Sequence, residues 1–263
     1  VEIPAMIVLL PPSETKEFGT NTHKMNLAKL SFPALTDNRK QLVAGLILLS
    51  KNPKKATSVL GISQKQFAEV ENNQILLTAK TSPAIAIYSG VLFDAFDYKS
   101  LAKGAKNRAD QSVVITSALF GLLRLQDSIP HYRLSGDAVL PKIGNVTKTW
   151  NSPTKSAIEE LNPDLIVDMR SGVYAKFWQP SSDHIEKTVV IKIMSRVGKG
   201  KNAKKIAISH SNKLTKGLLV RDLVSSPKQP KTLEQLVAIF INLGWDCEMT
   251  KEQNKAAIIE VFI

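Results

Sequence analysis

Five polar side chains crowd an otherwise apolar stretch. Ser117, Arg124 and Asp127 lie in Ser117-Ala118-Leu119-Phe120-Gly121-Leu122-Leu123-Arg124-Leu125-Gln126-Asp127, and Tyr132 and Arg133 follow in Ile129-Pro130-His131-Tyr132-Arg133-Leu134. A guanidinium set among apolar residues needs a carboxylate or phosphate partner, because desolvating an unpaired charge is costly. Asp127 is a candidate internal partner for one arginine, which leaves the other for an anionic ligand. Two lysines could join it. Lys16 lies in the polar loop after the first apolar run, where a parallel or mixed sheet places ligands at strand carboxyl ends. Lys213 opens an expected helix, whose first N–H groups favour an anion. Converging Lys, Arg and Tyr side chains suit an anion pocket. Internal ion pairs with Asp127 or Asp168 are the structural alternative.

A second set of residues suits a phosphate backbone. Val59-Leu60-Gly61-Ile62-Ser63, between two short expected helices, resembles the turn of the helix-hairpin-helix DNA-binding motif. Glycine lets such a turn approach DNA closely, and free N–H groups at the second helix start can bind a phosphate oxygen. Ser63 stands where the motif has its second glycine, and Ser63 with Gln66 also reads as an ordinary capping box. Lys51, Lys54, Lys55 and Lys65 flank the turn. The whole stretch from Asn38 to Ala68, which also holds Arg39 and Lys40, has no Asp or Glu. A second acid-free stretch runs from Lys187 to Arg221. Its expected hairpin tip, Ser195-Arg196-Val197-Gly198-Lys199-Gly200-Lys201-Asn202, carries Arg196, Lys199 and Lys201. With a net charge of +12 and a pI of about 9.7, such clustering favours polyanionic partners and salt-sensitive binding, with roughly 6–10 phosphate contacts.

Several chemistries lack their signatures. The chain has no P-loop, GxGxxG or HExxH, and its four histidines show no metal-ligand spacing. One cysteine, Cys247, excludes an internal disulfide and makes a protein-built zinc or iron–sulfur site unexpected, so no metal or other cofactor is anticipated. A Ser117–His131–Asp127 triad could be drawn, but no GxSxG elbow supports it. The longest apolar run, Leu42 to Leu49, is far short of the ~20 residues of a membrane span, and Val1 to Leu10 has no basic n-region. These features point to a cytoplasmic protein with no membrane partner.

The elements that must position these residues follow from periodicity. Strands are expected at Met6–Leu10, Ala84–Tyr88, Val113–Ser117, Asp164–Met169, Val189–Met194, Lys205–Ser209, Trp245–Met249 and Ala256–Phe262. Helical spacing marks residues 38–51, 53–60, 64–72, 99–109, 147–161, 212–224 and 232–243. Strands and helices mix without regular alternation. A single α/β domain over residues 6–263 is therefore expected, with a mixed sheet flanked by helices and a helix-hairpin-helix-like element at about 53–72.

Several of these segments together resemble the peroxide-stress YaaA family. They are Pro12-Ser13-Glu14-Thr15-Lys16, Tyr88-Ser89-Gly90, the block Ser117…Gly121…Arg124…Asp127…Tyr132-Arg133-Leu134, Ser171…Tyr174, and Lys213…Lys216-Gly217-Leu218…Arg221. The resemblance implies a mixed-sheet α/β fold with a helix-hairpin-helix element, DNA binding, and a role in limiting free iron and oxidative damage under peroxide stress. The chain departs from the family pattern in its longer first motif, in Leu125 after the arginine, in Ser135 where glutamate is common, and in His210 and Ser211 where aromatic residues are usual. Two functions are thus expected. One is DNA binding, to duplex or distorted DNA, through backbone phosphates with little sequence specificity. The alternative is an enzyme on a nucleotide or other phosphorylated small molecule, with a pocket of Lys16, Arg124, Asp127, Tyr132, Arg133, Ser171, Tyr174 and Lys213.

Overall fold

Met6–Leu10, five apolar residues stopped by Pro11-Pro12, form β1 in the middle of the main sheet, and every one of them is buried. Continuous burial is what a strand with parallel neighbours on both sides requires. The computed structural model describes residues 5–198, 204–208 and 211–263. Along the chain, β2 (Asn21–Lys24) and β3 (Lys80–Pro83) precede β4 (Val113–Ser117), β5 (Gly121–Arg124) and β6 (Ser128–Pro130). Then come β7 (Val139–Leu140), β8 (Gly144–Asn145), β9 (Leu165–Asp168), β10 (Thr188–Val197), β11 (Lys204–Ala207), β12 (Asp246–Thr250) and β13 (Ala257–Phe262).

The main sheet has the order β12-β13-β10-β9-β1-β4-β5, with β11 paired to β10. The five central strands, β13 through β4, are mutually parallel, and the outer strands β12, β5 and β11 pair antiparallel. From β1 the chain crosses first to β4 on one side and later to β9 on the other. The carboxyl end of β1 is therefore a topological switch point, the position where open α/β sheets leave a crevice for ligands. A second, small antiparallel sheet has the order β2-β3-β6.

The helices are α1 (Thr36–Ser50), α2 (Pro53–Leu60), α3 (Ala68–Gln74), α4 (Ala84–Ile87), α5 (Val91–Phe96) and α6 (Lys103–Ser112). After them come α7 (Val146–Leu161), α8 (Ser182–Ile185), α9 (Asn212–Ser225) and α10 (Leu233–Asn242). Asn52 caps α2 by accepting from the Lys55 N–H, and Gly61 ends it in the left-handed region at φ 59°, where a residue without Cβ is favoured. Ser63 then starts a 3-10 turn, Gln64–Gln66, and donates its N–H to Gln66 Oε1 at 3.2 Å.

Most expected elements are present within a residue or two, as one α/β domain on a mixed sheet. Ala84–Tyr88 is a correction. It forms the single helical turn α4, whose first N–H groups donate to Asp127 O (2.8 Å) and Leu125 O (3.0 Å), and the neighbouring strand is β3 instead. Lys199, Lys201, Ser209 and His210 lie outside the described residues. Among the described residues no helix is long and apolar enough to cross a membrane.

Candidate functional site

The site forms where three chain segments meet at the switch point. The loop after β1 folds back so that Lys16 bridges Tyr88, with Glu17 N–H on Ile87 O (2.7 Å) and Ser89 N–H on Thr15 O (3.2 Å). Gly90, at φ +95°, lets this pairing close. A Cβ there would stand 3.3 Å from Ser13 Oγ. Ser117 closes β4, and Tyr132 follows β6. Their hydroxyls and that of Tyr88 form a buried chain: Tyr132 Oη lies 2.8 Å from both Ser117 Oγ and Tyr88 Oη. Ser117 Oγ also accepts the Phe120 N–H at 3.0 Å. Burial raises the pKa of Tyr88, of Tyr132 and of Tyr174, so all three phenols stay protonated. Tyr174, from the turn after β9, reaches the Gly136 backbone beside them.

Lys16 Nζ sits inside this phenol cage, 4.4 Å from the Tyr132 ring centroid and 5.6 Å from that of Tyr88. It donates to one acceptor, Glu14 O, at 3.3 Å. Burial, and next the Arg133 charge, push its pKa down to about 7, against the weaker upward pull of Glu69 and Glu14. Arg133 is largely buried. Its Nη2 meets the exposed Glu14 carboxylate at 3.2 Å, while its Nε is buried with no partner among the described residues. A buried guanidinium N–H with no acceptor suits an anion, since leaving it unpaired carries a desolvation penalty.

The two-helix element around Gly61 is fastened to this cage. Asn73 of α3, fully buried, donates to Arg133 O (2.8 Å) and accepts the Arg133 N–H (2.9 Å). Glu69, entering the same helix, holds His131 Nε2 at 2.6 Å, and that contact holds the Glu69 carboxyl below its ordinary pKa. A groove of about 500 Å³ runs from Ser58, Val59, Leu60 and Gly61 to Glu14, Arg133, Ser135 and Asp137. Lys51, Lys54, Lys55 and Lys65 are exposed on the segments that flank the Gly61 turn, and none is ion-paired with a described carboxylate.

The structure thus brings together Lys16, Ser117, Tyr132, Arg133 and Tyr174, and sets Gly61 and Ser63 nearby. Other anticipated residues fall elsewhere. Asp127 accepts from Ser31 N–H (2.8 Å), Ser31 Oγ (2.9 Å) and Arg124 N–H (2.8 Å), so it builds the β5–β6 turn rather than lining the pocket. The Arg124 guanidinium packs over Phe32 and donates to Gln111 O, away from the cage. Ser171 and Lys213 are exposed, with no hydrogen bond to the cage among the described residues. One turn beyond Lys213, Lys216 is buried and donates to Met169 O at 2.9 Å; burial pushes its pKa down to about 8. Arg39, counted among the basic residues of the first stretch, is fully buried and donates to Ser31 O, Phe120 O and Leu122 O. Arg196 is engaged by Asp246 and Glu248 and stacks on Phe262. Its neighbour Lys205 pairs with Glu248 and Glu260, both at 2.7 Å. Tyr88, Glu14, Glu69 and Asn73 are the residues that the pocket set drawn from sequence omits.

Among the described residues no group of three or more His, Cys, Asp or Glu side chains could hold a metal ion. Residues 6–248 match the family model described as peroxide stress protein YaaA. A UPF0246 protein of Corynebacterium efficiens is 38% identical over 97% of this chain and 100% of its own length. One of Streptomyces coelicolor is 37% identical over 92% of both chains. An uncharacterized Campylobacter jejuni protein is 29% identical over 98% of both. With its whole cage and groove inside the matched span, the chain belongs to the peroxide stress protein YaaA family.

Proposed function

We propose that this protein acts in the oxidative-stress response by binding DNA through backbone phosphates, with the groove between the Gly61 turn and Arg133 as its contact surface. The observation that carries this is the continuity of that groove: one cleft joins the Gly61 turn, whose flanking segments carry four exposed lysines, to Arg133, largely buried and with an Nε that has no partner among the described residues. Glu14 and Asp137 also line it, so the attraction for a polyanion comes from Lys51, Lys54, Lys55 and Lys65 on the segments that flank the turn. If each takes one phosphate, log K falls against log salt with a slope of about −3.6, less than both basic stretches together would give. Salt-titrated anisotropy with duplex, bulged and single-stranded DNA tests this. A flat salt response, or no binding at low salt, would refute it.

The second reading, an enzyme on a nucleotide or other phosphorylated small molecule, is favoured by the clustering of Lys16, Ser117, Tyr132, Arg133 and Tyr174 around one buried hydroxyl chain. Saturable binding of mononucleotides with no affinity for duplex would select it.

A further inference from the structure

Two lysines are buried among the described residues, Lys16 and Lys216, and their surroundings differ. Lys216 Nζ donates to Met169 O at 2.9 Å and to Arg170 O at 3.5 Å, beside the Asp168 carboxylate, which holds a full ion pair with Arg170. Those contacts account for it as a structural group. Lys16 Nζ has one long hydrogen bond, to Glu14 O, and no carboxylate within ion-pair distance among the described residues. The groups that face it are Arg133, Glu69 and Glu14, with the phenols of Tyr88 and Tyr132. Both phenols stay neutral, so no phenolate stabilises an ammonium. Glu14 and Arg133 are also walls of the groove, so the amine lies directly behind the surface that would receive a phosphate.

We propose that Lys16 is a nucleophilic amine that condenses with the aldehyde of a phosphorylated sugar held at Arg133, the ring-opened deoxyribose of an abasic site in DNA being the form the groove admits. The proposal rests on the DNA reading for its choice of substrate. The Lys16 lone pair attacks the aldehyde carbon, the C=O π pair moves to oxygen, and one proton passes through water from the nitrogen to that oxygen. The carbinolamine then loses water, with one proton taken up, to leave an iminium in which nitrogen is doubly bonded to the former aldehyde carbon. No oxidant or reductant is required, and hydrolysis restores the amine. Only the neutral amine is nucleophilic. With a pKa near 7, most of Lys16 is neutral at pH 7.4, against about one part in a thousand for an ordinary lysine. Arg133, whose charge acts on Lys16, can pair the phosphate through the guanidinium edge that it offers to the exposed Glu14 carboxylate and fix the sugar beside the amine.

The test is reductive trapping. Full-length protein is incubated with a duplex carrying one abasic site, or with free deoxyribose 5-phosphate, in the presence of cyanoborohydride, and the adduct is mapped by mass spectrometry. The expected result is a covalent adduct on Lys16 with the abasic duplex, its rate rising through pH 7. Lys16→Arg, which keeps a long polar side chain in the cage but removes the nucleophilic amine, should lower the yield at least a hundred-fold. Lys16→Ala serves as a second variant, with folding checked by circular dichroism. An adduct on Lys16 with the free sugar phosphate alone would keep the nucleophile and move the substrate to small molecules. No adduct on either substrate, or adducts confined to surface lysines, overturns the proposal. Intact-duplex affinity, measured separately, shows whether the DNA reading has failed with it.

Discussion

The two acid-free basic stretches, with six Lys and Arg residues in the first and ten in the second, meet opposite fates in the fold. On the segments that flank the Gly61 turn, Lys51, Lys54, Lys55 and Lys65 stay exposed, with no ion-pair partner among the described residues. In the second stretch, β10 and β11 lie beside β13 and β12, and these bring Glu260, Asp246 and Glu248 against Arg196 and Lys205. Further along, Lys216 is buried and Arg221 is tied to Phe96 O, Asp97 and Ser100. Acids some 50 residues away in sequence neutralise what a linear count leaves free. The difference teaches that a basic run is a phosphate surface only where no partner strand answers it.

The largest effect that can sharpen this contrast is on stability. If the second stretch is structural, its helix should not tolerate added volume. Gly217 lies where α9 crosses α5, and a Cβ there would stand 2.3 Å from Leu92 O and 2.7 Å from Ala95 Cβ. Backbone must move to admit it, so Gly217→Ala should cost about 3 kcal/mol. Urea unfolding checks this, and a loss below about 1 kcal/mol would show the crossing to be loose.

Next comes Lys216. Its folded pKa, about 8, lies below the ordinary lysine value of 10.5. The unfolded chain therefore binds more protons between those values, and the penalty of burying this amine is fully present below pH 8 and relieved as pH rises through 10.5. The full difference is about 3 kcal/mol by linkage. Lys216→Met should thus be more stable than the parent near pH 7, and its advantage should shrink by pH 10. Lys16 imposes the same sign from about pH 7 upward and remains in both proteins, so only their difference is diagnostic. An advantage independent of pH would mean that folding does not shift the Lys216 pKa, because stability varies with pH only where the folded and unfolded states bind different numbers of protons.

For the hairpin the expected effect is on affinity. Lys54→Glu with Lys55→Glu should weaken duplex binding at low salt at least about ten-fold, by the loss and reversal of two phosphate contacts. Stability should change by less than about 0.5 kcal/mol for each exposed substitution. Arg196→Glu should leave affinity unchanged, because that arginine already faces two carboxylates. If the two variants behave the other way round, the contrast between the stretches is wrong.

How much of this was legible in the sequence depended on whether neighbours in the chain were neighbours in space. β1, β4 and β9 were readable because each is a short apolar run buried from end to end. α4 was not, since its helical turn is fixed by carbonyls of Leu125 and Asp127, far along the chain. Lys16, Ser117, Tyr132 and Arg133 were legible as polar groups in apolar settings. Asp127 misled for the same reason: its burial serves a turn. Lys216 could have been found from helical phase. The buried face of α9 runs Thr215, Lys216, Leu219, Val220, Leu223 and Val224, so a lysine on that apolar stripe was visible, whereas Lys213 lies off it. Asn73 and Glu69 left no sequence signal, because their partners Arg133 and His131 stand about 60 residues away.

The smallest expected effect bears on the turn itself. Gly61 has φ +59°, and nothing lies within 4 Å of the place a Cβ would occupy. Gly61→Ala should therefore cost only the left-handed backbone strain, about 1 kcal/mol. This contrasts with Gly217→Ala, where space rather than conformation is the obstacle. A methyl on an open turn is harmless to the fold, yet it holds off any backbone that must come close. If phosphate contacts the turn, duplex affinity should fall several-fold while the protein stays folded, and the slope against salt should hardly change, because no charge is lost. Unchanged affinity would mean that the lysines attract DNA as a diffuse field and that the glycine serves only to end α2. A reduced slope would mean that the methyl shifts the lysines from their phosphates, which places the contact on the flanking helices rather than on the turn.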